Sequence, residues 1–273
     1  MNYTTIVRLL AENGDETASL DAAELISHFV GKGREWCLMN QDMPLPPQVE
    51  SAAREMCRGK PLQYITGRAY FMGDRYFVTP DVLIPQPDTE HIVYAALEVL
   101  APGSRLLDLG CGSGCIIISL LKRTLASGVG VDISEPALLV ARRNAELHKI
   151  GSRLEFLRAD ILDSPDVTRL AAEADVIVSN PPYIRSDVIP TLSPEVRSEP
   201  ILALDGGNDG LKFYRYYINE LSRLMKPDAA MILEIGYDQS DDITSLCQTA
   251  ALDCEIRRDF GGNPRVAIIK RKS

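Results

Sequence analysis

The sequence predicts an α/β protein with a seven-stranded, mostly parallel sheet, an antiparallel hairpin at one sheet edge, and a small N-terminal helical domain. From Arg105 onward, short apolar runs alternate with helical patterns, which is typical of a parallel, doubly wound sheet. No helical pattern separates the last two apolar runs, so we expect them to pair as a hairpin. The first 70 residues show helical periodicity instead.

Residues 1–70 predict a helical domain. Its apolar stripes are Ile6, Leu9 and Leu10, then Leu20, Ala23, Ile26 and Val30 with Gly31 at the end, and a third helix opening at Pro46-Pro47. No residue in this part has the chemistry of a catalyst. We therefore expect a domain that docks on a partner, with a stabilising appendage as the alternative.

Residues 71–90 predict a β-hairpin and a linker. Gly73-Asp74 separates two aromatic-rich runs, as in a hairpin turn. Pro85 and Pro87 hold the next segment extended. Asp88 or Thr89 is suited to cap the helix that follows.

The remaining domain, 91–273, contains the alternating elements. The predicted strands are 106–109, 128–132, 154–157, 175–178, 230–235, 254–257 and 265–269, and the predicted helices include 116–125, 211–225 and 243–250. The aromatic residues of the 211–225 helix, such as Phe213, are expected to pack rather than bind. Residues 184–210 have little periodicity, which indicates either a lid facing the substrate or a plain surface loop.

Composition limits the class of protein. The formal net charge of -9 argues against broad binding to nucleic-acid phosphate. The N-terminus lacks the pattern of a signal peptide, and no apolar run approaches the length of a membrane span. The six scattered cysteines indicate reduced thiols in a cytoplasmic protein, and the three histidines form no pattern typical of a metal site.

A glycine-rich loop follows the first strand of the sheet. Its spacing, Gly-x-Gly-x-Gly over 110–114, matches neither a dinucleotide fingerprint nor a Walker loop. Asp108 precedes the loop and would repel a pyrophosphate, but it suits a cationic, phosphate-free ligand such as S-adenosylmethionine. Asp132 ends the second strand, where an acid can accept ribose hydroxyls. Taken singly, each feature also fits a tight turn and a solvated acid.

Asn180-Pro181-Pro182-Tyr183 ends the fourth strand. The two prolines stop the sheet and fix a rigid polar corner at its carboxyl edge, where such sheets bind ligands. The Asn180 amide oxygen, a free carbonyl and the Tyr183 ring suit a planar NH2 group. An ordinary strand-ending turn explains the motif alone equally well.

These stretches together resemble a known family. Residues 108–114 resemble motif I of the Rossmann-like (class I) S-adenosylmethionine-dependent methyltransferases, and residues 180–183 resemble the Asn-Pro-Pro-Tyr motif of the amino-methylating branch. Segments 59–67, 84–90, 203–211 and 261–266 resemble motifs of the release factor glutamine methyltransferases (the HemK/PrmC family). The N-terminal region is similar in size and position only. Gln86 stands where the family usually has Arg.

The resemblance implies an enzyme that methylates the side-chain amide nitrogen of the glutamine in the Gly-Gly-Gln motif of peptide chain release factors. The cofactor, S-adenosylmethionine, would contact Asp108, Gly110, Cys111, Gly112, Ser113, Gly114, Asp132, Asp160, Ile161 and Asn180. The glutamine would contact Asn180, Pro181, Pro182 and Tyr183, with Asn180, Pro181 and Tyr183 as the catalytic residues. We expect a cytoplasmic monomer that contacts neither membrane nor nucleic acid and holds no metal.

Two alternatives stay open at this point. An N6-adenine methyltransferase acting on DNA or RNA would also methylate an NH2 group on a planar system, but the acidic composition disfavours this alternative. A non-catalytic module that binds nucleotide and a partner is disfavoured by the intact loop and corner. Which substrate accepts a labelled methyl group separates the first alternative, and cofactor binding separates the second.

Overall fold

The computed structural model describes residues 1–272 as two compact units. One unit comprises Met1–Arg68 together with Leu192–Ser198, and the other comprises Ala69–Thr191 and the chain from Glu199 onward. The predicted three-part division, with a separate linker over 71–90, stays a prediction. Within residues 1–272, no helix is both long enough and apolar enough to cross a membrane.

The first unit is built from short helices. They are α1 (Tyr3–Glu12), α2 (Ala18–Val30), α3 (Arg34–Met39), α4 (Pro47–Met56) and α5 (Leu62–Thr66). Asn2 caps α1, because its side-chain oxygen accepts the Thr5 N–H at 3.0 Å while the Thr5 hydroxyl accepts the Asn2 N–H at 2.8 Å. Gly31 ends α2 at a φ of 69°, as predicted.

The core of the first unit lies between these helices and includes Ile6, Leu10, Leu25, Ile26 and Val49. The predicted stripe on α2 is wrong at Leu20, which is 54% exposed. Ala22 and Leu25 are buried instead. The helix thus presents a face shifted from the predicted one, because the packing partners rather than the helical period decide which stripe is buried.

The second unit contains a small hairpin and a large sheet. The hairpin strands are β1 (Arg68–Phe71) and β2 (Asp74–Phe77), and the sheet strands are β3 (Arg105–Leu109), β4 (Ser127–Asp132), β5 (Leu154–Arg158), β6 (Val176–Ser179), β7 (Ala230–Glu234), β8 (Leu252–Arg258) and β9 (Pro264–Arg271). The sheet order is β5-β4-β3-β6-β7-β9-β8. All pairs from β5 to β7 are parallel, and β9 pairs antiparallel with both β7 and β8. The predicted seven-stranded sheet with an antiparallel edge hairpin is confirmed.

Helices accompany the sheet strands. They are α6 (Glu90–Leu97), α7 (Cys115–Arg123), α8 (Glu135–Leu147), α9 (Pro165–Glu173), α10 (Pro194–Arg197, within the first unit), α11 (Ile201–Leu204), α12 (Lys212–Tyr216), α13 (Ser222–Leu224) and α14 (Ser240–Thr249). Two apolar clusters of the second unit contain alternate residues of the same strands, such as Leu107 and Leu106 in β3. The sheet therefore has a core on each face, which explains why its strands are apolar runs rather than alternating ones.

Two local predictions need correction, and one helix is not predicted. The hairpin turn is Met72-Gly73, one residue earlier than predicted, and both residues have positive φ, as a tight two-residue turn requires. The sequence pattern does not predict α9. The predicted helix over 211–225 contains a π-helical segment, Tyr217–Leu221, between α12 and α13.

The predicted cap of α6 is also wrong. Thr89 precedes the helix but makes no side-chain cap bond. Its hydroxyl instead accepts a hydrogen bond from Asn180, and Asp88 forms an ion pair with Arg265 at 3.0 Å. Tertiary partners thus take both side chains that the local sequence assigns to a cap.

Candidate active site

The site lies where the order of the sheet reverses. Strand β3 pairs with β4 on one side and with β6 on the other. At such a reversal of strand order, the loops that follow the two strands border a crevice at the carboxyl edge of the sheet. The glycine loop follows β3, and the Asn180–Tyr183 corner follows β6. A cavity of about 240 Å³ opens there and is lined by Gly110, Cys111, Gly112, Ser113, Asp132, Asp160, Ile161, Asn180 and Pro182, among others. The structure therefore brings both predicted motifs to one cavity.

The glycine loop bends back over β4. The Gly110 and Cys111 N–H groups both donate to the Val131 carbonyl, at 2.8 and 3.0 Å. Gly112 has a φ of 53°, and a Cβ placed on it would meet no atom within 4 Å, so this backbone borders open cavity. Such exposed backbone lets a ligand approach closely.

Gly114 has a packing role that the motif does not predict. It does not line the cavity. A Cβ there would lie 3.0 Å from Ile118 Cδ1 and 3.3 Å from Ala141 Cβ. Gly114 therefore permits α7 to begin close against α8, and its predicted cofactor contact stays a prediction.

Asp132 organises the glycine loop as well as facing the cavity. One carboxylate oxygen accepts the Gly112 N–H and the other accepts the Ser134 N–H, both at 2.9 Å. Burial raises the pKa of Asp132, although these bonds oppose the shift. Each oxygen keeps a second lone pair that can accept a ribose hydroxyl. The sequence pattern alone does not predict that Asp132 also holds the loop.

Asp108 lies beneath the loop rather than in the cavity lining. Its carboxylate is fully buried, and within residues 1–272 neither oxygen has a hydrogen-bond partner. Burial, together with the charge of Asp132, raises the pKa of Asp108 to about 7. A cationic group nearby would stabilise the ionised form. Direct contact between Asp108 and a cofactor stays a prediction.

Asp160 and Ile161 follow β5 and line the cavity. The Asp160 carboxylate accepts the Leu162 N–H at 2.9 Å, which fixes the turn. The buried Ile161 side chain lies under Gly110. Their placement suits the predicted position beside an adenine. Cys111 also lines the cavity; burial raises the pKa of its thiol, which agrees with a packed residue rather than a nucleophile.

The Asn180 side chain is fixed by one hydrogen bond. Its amide nitrogen donates to the Thr89 hydroxyl at 3.1 Å. The amide oxygen is therefore left as an acceptor at the cavity that Asn180 lines. Pro182 lines the cavity too, whereas Pro181 is buried and Tyr183 is half-buried outside the lining.

Further contacts hold the corner from behind. The Tyr183 hydroxyl donates to Glu234 at 3.2 Å, and burial raises the pKa of this phenol. The Gln239 amide donates to the Tyr183 carbonyl at 3.2 Å and to the Gly210 carbonyl at 3.3 Å. The corner is thus tied to the end of β7 and to the segment before α12.

The segment 199–204 forms part of the cavity wall. Pro200, Leu202 and Ala203 line the cavity. Glu199 accepts the Ile84 N–H at 2.8 Å, and burial raises the pKa of this carboxyl to about 7. This part of the predicted lid or loop faces the site, whereas Leu192–Ser198 belongs to the helical unit.

Sequence reasoning misses one wall of the cavity. The missed residues are Asp81, Val82, Leu83, Pro85, Thr89, Lys212 and Phe213. The family motif over 84–90 is the signal that could have found part of this wall. Gln86 lies in it, where its amide donates to the Ile84 carbonyl at 3.2 Å. Phe213 packs against the apolar core as predicted, and it also lines the cavity.

Comparison with known proteins shows which families this chain resembles over most of its length. A family model described as a methyltransferase domain matches residues 100–261, and one described as the PrmC N-terminal domain matches residues 3–67. A release factor glutamine methyltransferase of Geobacter sulfurreducens is 39% identical over 94% of this chain and 91% of that protein. Another, of Caulobacter vibrioides, is 41% identical over 97% of this chain and 94% of that protein.

A solved structure supports the fold alone. The crystal structure of ribosomal protein L11 methylase from Lactobacillus delbrueckii subsp. bulgaricus has a TM-score of 0.51 and 20% identity. The match covers 72% of this chain and 84% of that one. The similarity agrees with the parallel sheet and its antiparallel edge.

Proposed function

The chain belongs to the release factor glutamine methyltransferases, and we propose from this premise that it methylates the side-chain amide nitrogen of the glutamine in the Gly-Gly-Gln motif of peptide chain release factors. The reaction is a protein-(glutamine-N5) methyl transfer. The observation that carries the proposal is the Asn180 carboxamide. Its nitrogen is occupied by Thr89, so its oxygen remains for an NH2 group in the cavity that also borders the glycine loop.

S-adenosylmethionine fits the residues around the glycine loop. The unpartnered Asp108 carboxylate and the cavity-lining Asp132 and Asp160 supply negative charge and acceptors, which suit a cation with ribose hydroxyls. Gly110 and Gly112 let the backbone approach it. When bound, this cofactor supplies an electrophilic methyl group on a sulfonium.

The chain's own residues address the weak nucleophilicity of an amide nitrogen, whose lone pair is delocalised into its carbonyl. The Asn180 side-chain oxygen and the Pro181 carbonyl accept the two substrate N–H bonds and favour a pyramidal nitrogen. Tyr183 packs on the amide plane. Catalysis is then mostly positioning and preorganised dipoles, and the proton leaves after transfer from a more acidic cation.

The partner and setting of the reaction are part of the proposal. The net charge of -9 supports a protein substrate rather than direct contact with nucleic acid. We place the reaction in the cytoplasm and the enzyme in a monomeric state, with residues 1–70 docking on the release factor. Light scattering and cross-linking with a release factor test these points separately from the chemistry.

The decisive experiment supplies labelled S-adenosylmethionine together with a release factor, DNA or RNA. We expect label in the glutamine of the Gly-Gly-Gln motif and none in nucleic acid. Asn180→Ala should abolish transfer while calorimetry shows that the cofactor still binds, and Asn208→Ala, at an exposed asparagine outside the cavity, should leave transfer intact. Unchanged turnover in Asn180→Ala would rule out the mechanism, and label in adenine would favour the N6-adenine alternative.

A further inference from the structure

Asn144 is a buried polar residue in the interior of α8. It is fully buried and does not line the cavity. Asparagine is a weak helix former, and burying a carboxamide destabilises the fold unless its polar atoms are hydrogen-bonded. The hydrogen-bond partners of Asn144 therefore indicate what this side chain does in the middle of a helix.

Three hydrogen bonds join the Asn144 carboxamide to two separate segments. Its nitrogen donates to the Ser113 carbonyl of the glycine loop at 2.9 Å and to the Phe77 carbonyl of β2 at 3.0 Å. Its oxygen accepts the Phe77 N–H at 2.7 Å. A carboxamide nitrogen has two N–H groups, so both of its donors are used. One side chain thus connects the β1–β2 hairpin with the glycine loop.

Both partners of Asn144 belong to segments that form walls of the cavity. Ser113 lines the cavity itself. Phe77 ends β2, and the chain then turns, because the Thr79 carbonyl accepts the Val82 N–H at 3.1 Å. The segment that follows this turn contributes five residues to the lining, which are Asp81, Val82, Leu83, Pro85 and Gln86. Asn144 therefore fixes the position of one wall relative to the other.

Gly114 makes this connection possible. A Cβ on Gly114 would lie 3.3 Å from Ala141 Cβ and 3.6 Å from Ala141 Cα, so the glycine lets the loop approach α8 closely. Ala141 and Asn144 are three residues apart and lie on the same face of the helix. The Asn144 carboxamide can therefore reach the Ser113 carbonyl from this face. The absence of a side chain at Gly114 and the amide of Asn144 serve the same contact.

We propose that Asn144 is a positioning residue for the cofactor: its carboxamide holds the glycine loop at Ser113 to the segment that follows β2, and so sets the shape of the cavity in which S-adenosylmethionine binds. This inference rests on the cofactor of the proposed function, but not on the identity of the methyl acceptor. Without the carboxamide, the Ser113 carbonyl and both backbone groups of Phe77 lose a partner. The two walls then move independently, and the smaller population of the binding-competent arrangement weakens the apparent affinity.

The test compares Asn144→Ala with Ser119→Ala. Ser119 is equally buried in α7, and its hydroxyl is hydrogen-bonded at 2.7 Å to the Tyr76 hydroxyl, which belongs to the same hairpin but not to the glycine loop. Both variants should lower the urea midpoint, because each leaves a buried polar group of the hairpin without its partner. Only Asn144→Ala should weaken the calorimetric Kd of S-adenosylmethionine, by about tenfold, which is within the usual range of coupling between sites.

Asn144→Asp provides the test if Asn144→Ala does not fold. A carboxyl group has nearly the same shape as the carboxamide but carries at most one proton, so at most one of the two carbonyls keeps a donor. The Kd of this variant should rise by about fivefold or more. A wild-type Kd in either folded variant, or an equal rise in Ser119→Ala, would overturn this inference alone. A wild-type protein that binds S-adenosylmethionine but methylates no release factor would instead overturn the proposed function.

Discussion

Gly206→Ala tests how closely the corner depends on its support. Gly206 is buried; its N–H donates to the Ile184 carbonyl at 2.8 Å. A Cβ at this position would lie 2.7 Å from Tyr183 Cα and 2.8 Å from the Pro182 carbonyl oxygen. Both neighbours are backbone atoms, so neither can rotate away. The added methyl must displace the corner itself.

The expected losses of stability and turnover follow from the short distances between the added methyl carbon and these backbone atoms. Carbon atoms pack at about 3.5–4.0 Å, so the Pro182–Tyr183 backbone must shift by about 1 Å. Overpacking of this kind costs about 1–3 kcal/mol of unfolding free energy. A shift of about 1 Å in a reacting group costs about 100-fold in rate. The cofactor Kd should change little, because Gly206 does not line the cavity.

The assay is single-turnover transfer of labelled methyl to a release factor, with urea unfolding and cofactor calorimetry on the same preparations. Gly151→Ala is the matched control, because a Cβ at this exposed glycine meets nothing within 4 Å and its φ is not positive. It should behave as the wild type. A folded Gly206→Ala protein with wild-type turnover would refute the reasoning.

Three further predictions follow from single side chains. Asp108 has its pKa raised to about 7, so the folded state keeps a proton that the unfolded state loses near pH 4; stability from this group is present below that pH and is lost as the pH rises to about 7. Asp108→Asn should flatten the fall in urea-unfolding free energy between pH 5 and pH 8, by at most about 3 kcal/mol; an unchanged slope would contradict the assignment. Asp132→Asn should weaken cofactor binding by about tenfold or more in calorimetry, since an amide cannot accept both the Gly112 and Ser134 N–H groups; equal Kd values would exclude this role. Ser179→Ala removes the buried donor to the Leu109 carbonyl at 2.6 Å and should cost about 1–3 kcal/mol in urea unfolding, and a smaller loss than that of Thr249→Ala at the surface would count against it.

Local patterns are enough for much of this molecule. Seven apolar runs predict the seven strands of the sheet, because a strand buried on both faces must be apolar throughout. The missing helix between the last two runs predicts the antiparallel β8–β9 pair. Gly110–Gly114 and Asn180–Tyr183 predict where the cavity lies, since parallel strands place their following loops at one edge.

Tertiary structure alone decides which partner each polar side chain takes. The local sequence offers Thr89 and Asp88 as caps, but the fold gives them to Asn180 and Arg265. The sequence also does not show that Glu234 lies behind the corner. Glu234 accepts a hydrogen bond from Tyr183, which is more than 50 residues away along the chain. Periodicity records which face of an element is buried, whereas the register of strands from distant parts of the chain determines which atoms meet. Two short motifs therefore identify the site, while the orientation of its amide depends on contacts that only folding assembles.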